Sequence, residues 1–370
     1  MLFARLSSFY FFYFAAVGVY IIFLPKVLQE IGYSTLEIGI VLALAPLMRF
    51  LTPFLFLKHI KLTQKLFKLI LLVSVGSSFL FYVTIEHFYL FMLNNAILGV
   101  CLSVLLPYIE LISIRELKNK YGKSRLFGSI GFAVIGLVLA KHLSDPNIAL
   151  HYYFVSTLFT AIIALSLLKY DEQECEVSKA TENFSLLRYW PFWISLFLMQ
   201  VSFGGYYNFF TIYEHEHQIS IETISYLWSV GILFEVLMFY YQAPLLRYNL
   251  VMIIKFSILI TAFRWLLLYL FPDSLSISYF TQSLHAFSFG LYHSAVILYL
   301  YKIYENKKLA QQFMLGVAYG FGGFVGAVLA GYLYGEYLFL ASSILSLCAF
   351  VFMLKKEKEV LSINNHLTNK

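Results

Sequence analysis

The sequence predicts an all-α integral membrane protein with twelve transmembrane helices in two pseudo-symmetric six-helix bundles. Three observations predict this class: an apolar composition, twelve apolar runs of spanning length, and a one-sided distribution of lysine and arginine. The chain has 370 residues, of which 61% are hydrophobic and 12% are charged, whereas soluble globular chains are about 45–50% apolar. This composition indicates a chain that lies in a lipid bilayer.

The apolar runs give the number and position of the spans, because a helix needs about 20 apolar residues to cross about 30 Å of hydrocarbon. Twelve runs occur, at residues 7–29, 36–57, 67–85, 88–111, 126–143, 150–168, 190–213, 221–243, 250–271, 275–300, 309–333 and 336–354. The segment after the sixth run is the most polar internal stretch. We therefore expect an amino-terminal bundle at 1–168, a cytoplasmic linker at 169–189, a carboxyl-terminal bundle at 190–354 and a cytoplasmic tail at 355–370.

The basic residues between the runs predict the orientation, because cytoplasmic loops are enriched in lysine and arginine. With the amino terminus inside, only Lys26 and Lys141 fall outside. The residues that fall on the cytoplasmic side are Lys58, Lys61, Lys65, Lys68, Arg115, Lys118, Lys120, Lys123, Lys302, Lys307, Lys308, Lys355, Lys356 and Lys358. We expect both termini in the cytoplasm and a location in a bacterial inner membrane. The net charge of +6 then needs no nucleic-acid partner.

Several kinds of chemistry have no pattern in this sequence. There is no Walker loop, no dinucleotide GxGxxG turn and no HExxH motif. The three cysteines form no CxxC pair. His215 and His217 are two residues apart and therefore do not share a helical face. We expect no enzymatic activity, no cofactor and no metal site.

Four fragments of the sequence are similar to one group of membrane transporters. PYIE at Pro107–Glu110, followed by YGKSRLFGSIGFAV from Tyr121, resembles the fourth-to-fifth helix hairpin of the lactose permease and phenylpropionate permease group of the major facilitator superfamily. The fragments WSVGILFEVLMF, FRW and QSLHAFSFGLYH resemble its eighth, ninth and tenth helices. The resemblance implies the major facilitator fold, a site near the midplane between the halves, and solute–proton symport.

Glu110 and Arg125 are the first candidate pair. If a short turn joins the fourth and fifth helices, the two side chains meet at similar depth. The resemblance implies that both face the central cavity and bind substrate. The alternative is a surface arginine that only begins a helix, although a guanidinium at the mouth of a lipid-embedded helix is costly unless it snorkels, pairs or faces water.

Glu235, Arg264 and His285 form a second candidate set, at adjoining depths in the eighth, ninth and tenth spans. At 1.5 Å per residue, Arg264 and His285 are nearly level, and Glu235 lies about one turn deeper. The set is predicted to be either a proton relay or a structural clamp. Ser288 stands where the sugar permease has its proton-releasing carboxylate, so proton coupling must use another group, Glu235 first and Glu110 second.

Further candidates lie in the seventh, tenth and second spans. Paired glycines at 204 and 205 loosen the seventh span beside Tyr206, Tyr207 and Asn208, which we expect to contact a planar or sugar-like solute. His293 either faces the pore or packs between helices. Arg49 either pairs with an acid of the amino-terminal bundle or snorkels.

Together these patterns predict a monomeric, proton-coupled symporter of a small organic solute. An aromatic carboxylate such as phenylpropionate is favoured, paired with Arg125 or Arg264. A sugar or nucleoside symporter is the alternative, with hydroxyl groups bound by Glu110 and Arg125. A receptor or scaffold that uses a transporter-like fold without transport is the alternative from another class. The expected partners are the solute, protons and the lipid bilayer.

Overall fold

The predicted spans are helical in the structure, and most helices extend beyond the apolar runs. The computed structural model describes residues 1–58, 63–143, 145–171 and 187–368, with the backbone alone described at 54–58, 308 and 355–368. Residues 172–186, which make up most of the predicted linker, lie outside the described residues, as do Lys61 and residues 369–370 of the predicted tail.

Six helices of the described residues precede the predicted linker. They are α1 Leu2–Ile31, α2 Thr35–Lys58, α3 Gln64–Thr84, α4 Phe88–Leu117, α5 Tyr121–Ala140 and α6 Pro146–Leu167. A π-helical turn interrupts α1 at Val19–Phe23. The fourth span runs past its predicted end and the fifth begins before residue 126, because polar residues beyond the hydrocarbon still form intrahelical hydrogen bonds. Arg125 therefore lies inside α5, one turn after its start.

The carboxyl-terminal half contains helices that are more often interrupted. They are α7 in two parts, Trp190–Ser202 and Gly204–Glu216, α8 Ile221–Tyr241, α9 Leu250–Leu270, α10 in two parts, Leu275–Ser283 and Tyr292–Ile303, α11 in two parts, Lys307–Met314 and Gly323–Tyr332, and α12 Leu338–Thr368. π-Helical turns lie between the parts of α10 and α11, at Ala286–Leu291 and Leu315–Gly322. The backbone of the predicted tail continues α12 to Thr368.

Eight helical segments of the described residues are long and apolar enough to cross a membrane by length and composition. One of them, Phe88–Ala140, contains both α4 and α5. The parts of α7 and α10 are each shorter than a span, and the apolar part of α12, Leu338–Leu354, is also short. The multi-span helical architecture is therefore observed, and the count of twelve spans stays a prediction.

Hydrogen bonds between helix ends agree with helices that alternate in direction. Arg5 at the start of α1 donates to the Ser166 carbonyl at the end of α6, and Trp193 at the start of α7 donates to Tyr304 after α10. On the other face, Tyr33 after α1 donates to the Ile85 carbonyl after α3. We call the face with the ends of α2, α4, α6, α8 and α10 the lysine-rich face and the opposite one the lysine-poor face.

Polar caps hold the helix starts where the sequence changes from loop to apolar run. Side-chain oxygens accept hydrogen bonds from backbone N–H groups of the first turn, which lack partners within the helix. The capping residues are Thr63, Asp145, Ser220, Asn249 and Asn306. Gly32 ends α1 with a φ of 105°, a left-handed conformation that glycine adopts without strain.

Within each half, neighbouring helices pack closely, as α1 does against α5 and α6. Between halves, α2 packs along α11 and α5 along α8. A Cβ atom added to Gly39 of α2 would lie 3.0 Å from the Gly331 Cα of α11, so only glycine permits this approach. At the lysine-poor face, Gln29 of α1 donates to Glu216 of α7 at 2.8 Å. These contacts join the halves on the lysine-poor side.

Candidate functional site

A cavity of about 430 Å³ lies between the two halves. Its wall includes Tyr20, Arg49 and Arg125 from the amino-terminal half, and Tyr206 and Glu235 from the carboxyl-terminal half. Most of the other wall residues are aromatic or aliphatic. Small-molecule sites are typically apolar clefts of roughly 300–1,000 Å³ with a few well-placed polar groups. The cavity has the size and composition of such a site.

The carboxyl-terminal half brings Glu235, His285 and Arg264 into one chain of polar contacts. Arg264 Nη1 lies 3.0 Å from His285 Nδ1, and His285 Nε2 lies 3.4 Å from Glu235 Oε2. The three are neighbours, as their depths predict, whereas their roles stay predictions. His285 stands between the acid and the cation, so Glu235 and Arg264 interact through an imidazole ring.

The arginine defines how the His285 ring is protonated. An arginine side chain only donates hydrogen bonds, so His285 must accept at Nδ1. A neutral His285 therefore carries its proton on Nε2, on the side of Glu235. The ring can donate this proton to the Glu235 carboxylate. Both Glu235 and His285 lie on the cavity wall.

Arg264 itself is shut away from the cavity, with an exposed fraction of 0%. Its Nη2 donates to Gln282 Oε1 at 3.1 Å, its Nη1 also donates to Ser288 Oγ at 3.2 Å, and the guanidinium lies 4.3 Å from the centre of the Tyr206 ring. Hydrogen bonds and an aromatic face offset part of the cost of burying a cation. The predicted direct pairing of Arg264 with a solute carboxylate has no support in this geometry.

Ser288 gives the buried Arg264 a neutral hydrogen-bond partner. The hydroxyl accepts a hydrogen bond from Arg264 but carries no charge. Where the sugar permease has an acid, this chain therefore offers the cation only a neutral acceptor. Among the described residues, the negative charge nearest to Arg264 along its contacts is Glu235, one imidazole ring away.

The amino-terminal half holds Arg125 in a direct ion pair. Arg125 Nε donates to Glu110 Oε1 at 3.1 Å, and Tyr121 donates to the same oxygen at 3.0 Å. The guanidinium lies 4.1 Å from the centre of the Phe14 ring. The structure thus brings the predicted pair together across the α4–α5 hairpin. Arg125 lines the cavity, and Glu110 holds it from behind.

Arg49 is the second arginine of the cavity wall. Its side chain is exposed, and within the described part of the chain it has neither an ion pair nor a hydrogen bond. The first alternative for Arg49, an acid of its own bundle, is therefore not observed among the described residues. The guanidinium lies unpaired at the cavity wall, and snorkelling stays a prediction.

The glycine pair of the seventh span lies at a break in the helix. The first part of α7 ends at Ser202, and the second begins at Gly204. Tyr206, Tyr207 and Asn208 follow the break and all line the cavity. Tyr206 donates to Gln282 at 2.8 Å, and Asn208 donates to the carbonyl of Gly204 at 2.8 Å. The break therefore turns three polar side chains toward the space between the halves.

His293 lies behind the cavity wall. Its Nδ1 is 2.7 Å from the Tyr319 hydroxyl, and its ring stacks on Phe289 at 5.8 Å. Tyr319 and Phe289 line the cavity, and His293 is not among the wall residues. A contact between His293 and a solute would have to pass through Tyr319, so the predicted direct role gains no support.

Gln282 is a site residue that the candidate set left out. Its Oε1 accepts hydrogen bonds from both Arg264 and Tyr206, and it is fully buried. The signal was present in the sequence, because Gln282 precedes His285 by three residues and therefore shares its helical face. Gln282 links the buried cation of α9 to the broken helix α7.

Two groups of helices around a central cavity with an apolar wall and a few polar side chains are typical of a membrane transport protein of the major facilitator type. The chain belongs to the MFS_1 like family, whose sequence model matches residues 3–343. This agrees with the superfamily indicated by the four sequence fragments.

Known proteins similar to this chain are transporters by name. It is 27% identical to "Uncharacterized transporter YwbF" of Bacillus subtilis (strain 168), over 96% of this chain and 94% of that protein. It is 26% identical to "Probable 3-phenylpropionic acid transporter" of Escherichia coli (strain K12), over 89% of this chain and 90% of that one. A crystal structure of a mutant of the nucleoside transporter NupG superposes with a TM-score of 0.79 at 18% identity, covering 96% of this chain and 99% of that one. At 18% identity, the similarity to the NupG structure shows the fold alone.

Proposed function

We propose that this protein is a secondary active transporter that carries a small organic solute together with protons, and that the solute is an aromatic carboxylate such as phenylpropionate. Membership of the family and the name of the Escherichia coli relative support the class of activity and the kind of solute. The aromatic wall of the cavity supports a planar solute, because rings stack favourably on one another.

The observation that carries the proton coupling is the position of Glu235. Its carboxylate lies on the cavity wall and 3.4 Å from His285 Nε2, in the chain that ends at Arg264. With Glu235 ionised and His285 neutral, the chain of three has no net charge. When Glu235 takes up a proton, the chain becomes a net cation, which adds to the attraction of the cavity for an anionic solute. Proton and carboxylate are thereby favoured together.

The direction of the cavity follows from the contacts between the halves. The halves meet at Gln29–Glu216 and at Gly39–Gly331, on the lysine-poor face. The lysine bias assigns this face to the outside of the inner membrane, with both termini in the cytoplasm. The contacts at Gln29–Glu216 and Gly39–Gly331 then close the outer face, and the transport cycle requires them to separate.

A sugar or nucleoside symporter is the second candidate, and one observation favours it. Arg125 offers hydrogen-bond donors on the cavity wall, and Glu110 lies directly behind it as an acceptor, with 32% and 28% of these side chains exposed. Hydroxyl groups bind well to such a pair. A receptor that does not transport needs no titratable group on the cavity wall. The position of Glu235 on that wall therefore favours a transporter over a receptor.

Reconstitution into proteoliposomes tests the proposal. We expect radiolabelled 3-phenylpropionate to accumulate when the pH gradient is imposed and to equilibrate without accumulation when the gradient is collapsed. Uridine and lactose, tested in parallel, represent the second candidate. Accumulation of one of these neutral solutes alone would replace the carboxylate by that class, and binding of a solute without any uptake would favour the receptor.

A further inference from the structure

The charged side chains of the cavity are unequally neutralised. Apart from tyrosines, the described residues of the cavity wall include four ionisable side chains: Arg49, Arg125, Glu235 and His285. Arg125 is paired with Glu110, and His285 lies between Glu235 and Arg264. Arg49 alone of these four has no partner among the described residues.

The packing of α2 directs this arginine into the cavity. The preceding residue, Met48, lies against Gly99 of α4, and the following residue, Phe50, lies against Gly320 of α11. One neighbour is thus held by the amino-terminal half and the other by the carboxyl-terminal half. Arg49 points between these contacts and lines the space that both halves enclose.

The depth of Arg49 makes the missing partner costly. Arg49 lies about 21 Å along α2 from Thr35, at 1.5 Å per residue. A guanidinium inside a membrane protein normally pairs, snorkels or faces water. Arg49 faces the cavity. There its guanidinium offers an anion a positive charge and a planar pair of hydrogen-bond donors that match a carboxylate.

We infer that Arg49 binds the carboxylate of the transported organic acid, and this inference rests on the function proposed above. The charge of Arg125 is already neutralised by Glu110. Arg125 therefore contributes hydrogen bonds to the cavity wall but little net attraction for an anion. Arg264 is enclosed and cannot reach the solute. The carboxylate therefore binds on the amino-terminal half, and Glu235 carries the proton on the other half.

Binding of a matched pair of probes tests the assignment. Full-length protein in nanodiscs is titrated with 3-phenylpropionate and with its neutral analogue 3-phenylpropanamide, and the ratio of the two affinities measures the preference for the charge. We expect Arg49→Gln to reduce this preference at least about tenfold, as loss of a charge-assisted hydrogen bond does. Arg49→Lys keeps the charge, guards against a folding defect, and should lose part of the preference.

Arg247→Gln is the control, because Arg247 is exposed after α8 and does not line the cavity. It should leave both affinities unchanged. An undiminished preference for the carboxylate in a folded Arg49→Gln protein would overturn the assignment while leaving the proposed function intact. Failure of the wild type to bind any aromatic carboxylate would overturn the proposed substrate class and the assignment together.

Discussion

The two halves of the molecule hold their arginines in opposite ways. Arg125 forms a direct ion pair with Glu110, and both side chains are about a third exposed, at 32% and 28%. Arg264 is completely enclosed, and His285 separates it from Glu235. Glu110 thus meets its cation directly, whereas Glu235 meets its cation through an imidazole and lies on the cavity wall. We therefore propose that the charge of the amino-terminal half is fixed and that the charge of the carboxyl-terminal half varies with the transported proton at Glu235.

Glu235→Gln breaks this comparison most strongly, because it removes the variable charge. One coupled proton supplies about 1.4 kcal/mol per pH unit, which corresponds to a tenfold accumulation. Glutamine keeps the size and hydrogen-bonding capacity but cannot titrate. We expect accumulation driven by a pH gradient to be abolished and solute exchange to continue, measured in the same proteoliposomes.

Glu222→Gln is the matched control for that variant, since Glu222 is an exposed acid at the start of the same helix. It should leave both measurements unchanged. If the Glu235→Gln protein still concentrates solute as the wild type does, Glu235 is not the coupling site, and Glu110 becomes the next candidate.

Arg125→Lys tests the fixed half and has a smaller expected effect. Lysine keeps the charge but loses the planar fork and its stacking on Phe14. We expect affinities for 3-phenylpropionate and its amide to fall together, by up to about tenfold, because a hydrogen-bonding wall is disturbed and no net charge is lost. Lys123→Arg on the same exposed turn is the control. Unchanged affinities in Arg125→Lys would make Arg125 a structural residue only.

Ser288→Ala sharpens the comparison with the smallest expected effect. It removes one hydrogen bond to the buried Arg264 and leaves its other contacts. We expect a loss of thermal stability on the order of 1 kcal/mol, measured by unfolding in detergent. Ser229→Ala is the control, since the Ser229 hydroxyl donates only to the Ser225 carbonyl of its own helix. A Ser288→Ala protein as stable as the wild type would show that the Ser288 contact contributes nothing.

The sequence predicts the pairs that are close along a hairpin or level in depth. Glu110 and Arg125 meet because a short turn makes α4 and α5 antiparallel, and Glu235, His285 and Arg264 meet because a constant rise per residue places them at similar depths. Both arguments use distances along helix axes, which a sequence supplies directly. The family followed from the same fragments.

The direction in which a side chain points depends on features that the sequence did not reveal. His293 follows His285 by eight residues, which in a regular α-helix would place both on one face, but the π-helical turn at Ala286–Leu291 between them winds more slowly and changes the phase. Arg264 was expected to reach the solute, yet packing against Tyr206 and Trp265 encloses it. The surroundings of Arg49 do not follow from the sequence, because only the tertiary structure shows that no acid of the described residues pairs with it.

The contact between Gly39 and Gly331 also has a consequence for the time that the transporter spends in each state. The backbones meet so closely that any side chain there would separate the halves on the lysine-poor face. Transporters of this kind exchange between states that differ by a few kcal/mol, so the rarer one is populated at about 0.1–10%. Gly39 and Gly331 do not line the cavity, yet they help to set how often the empty transporter is open to each side of the membrane. They therefore influence the rate of transport at a given affinity for the solute.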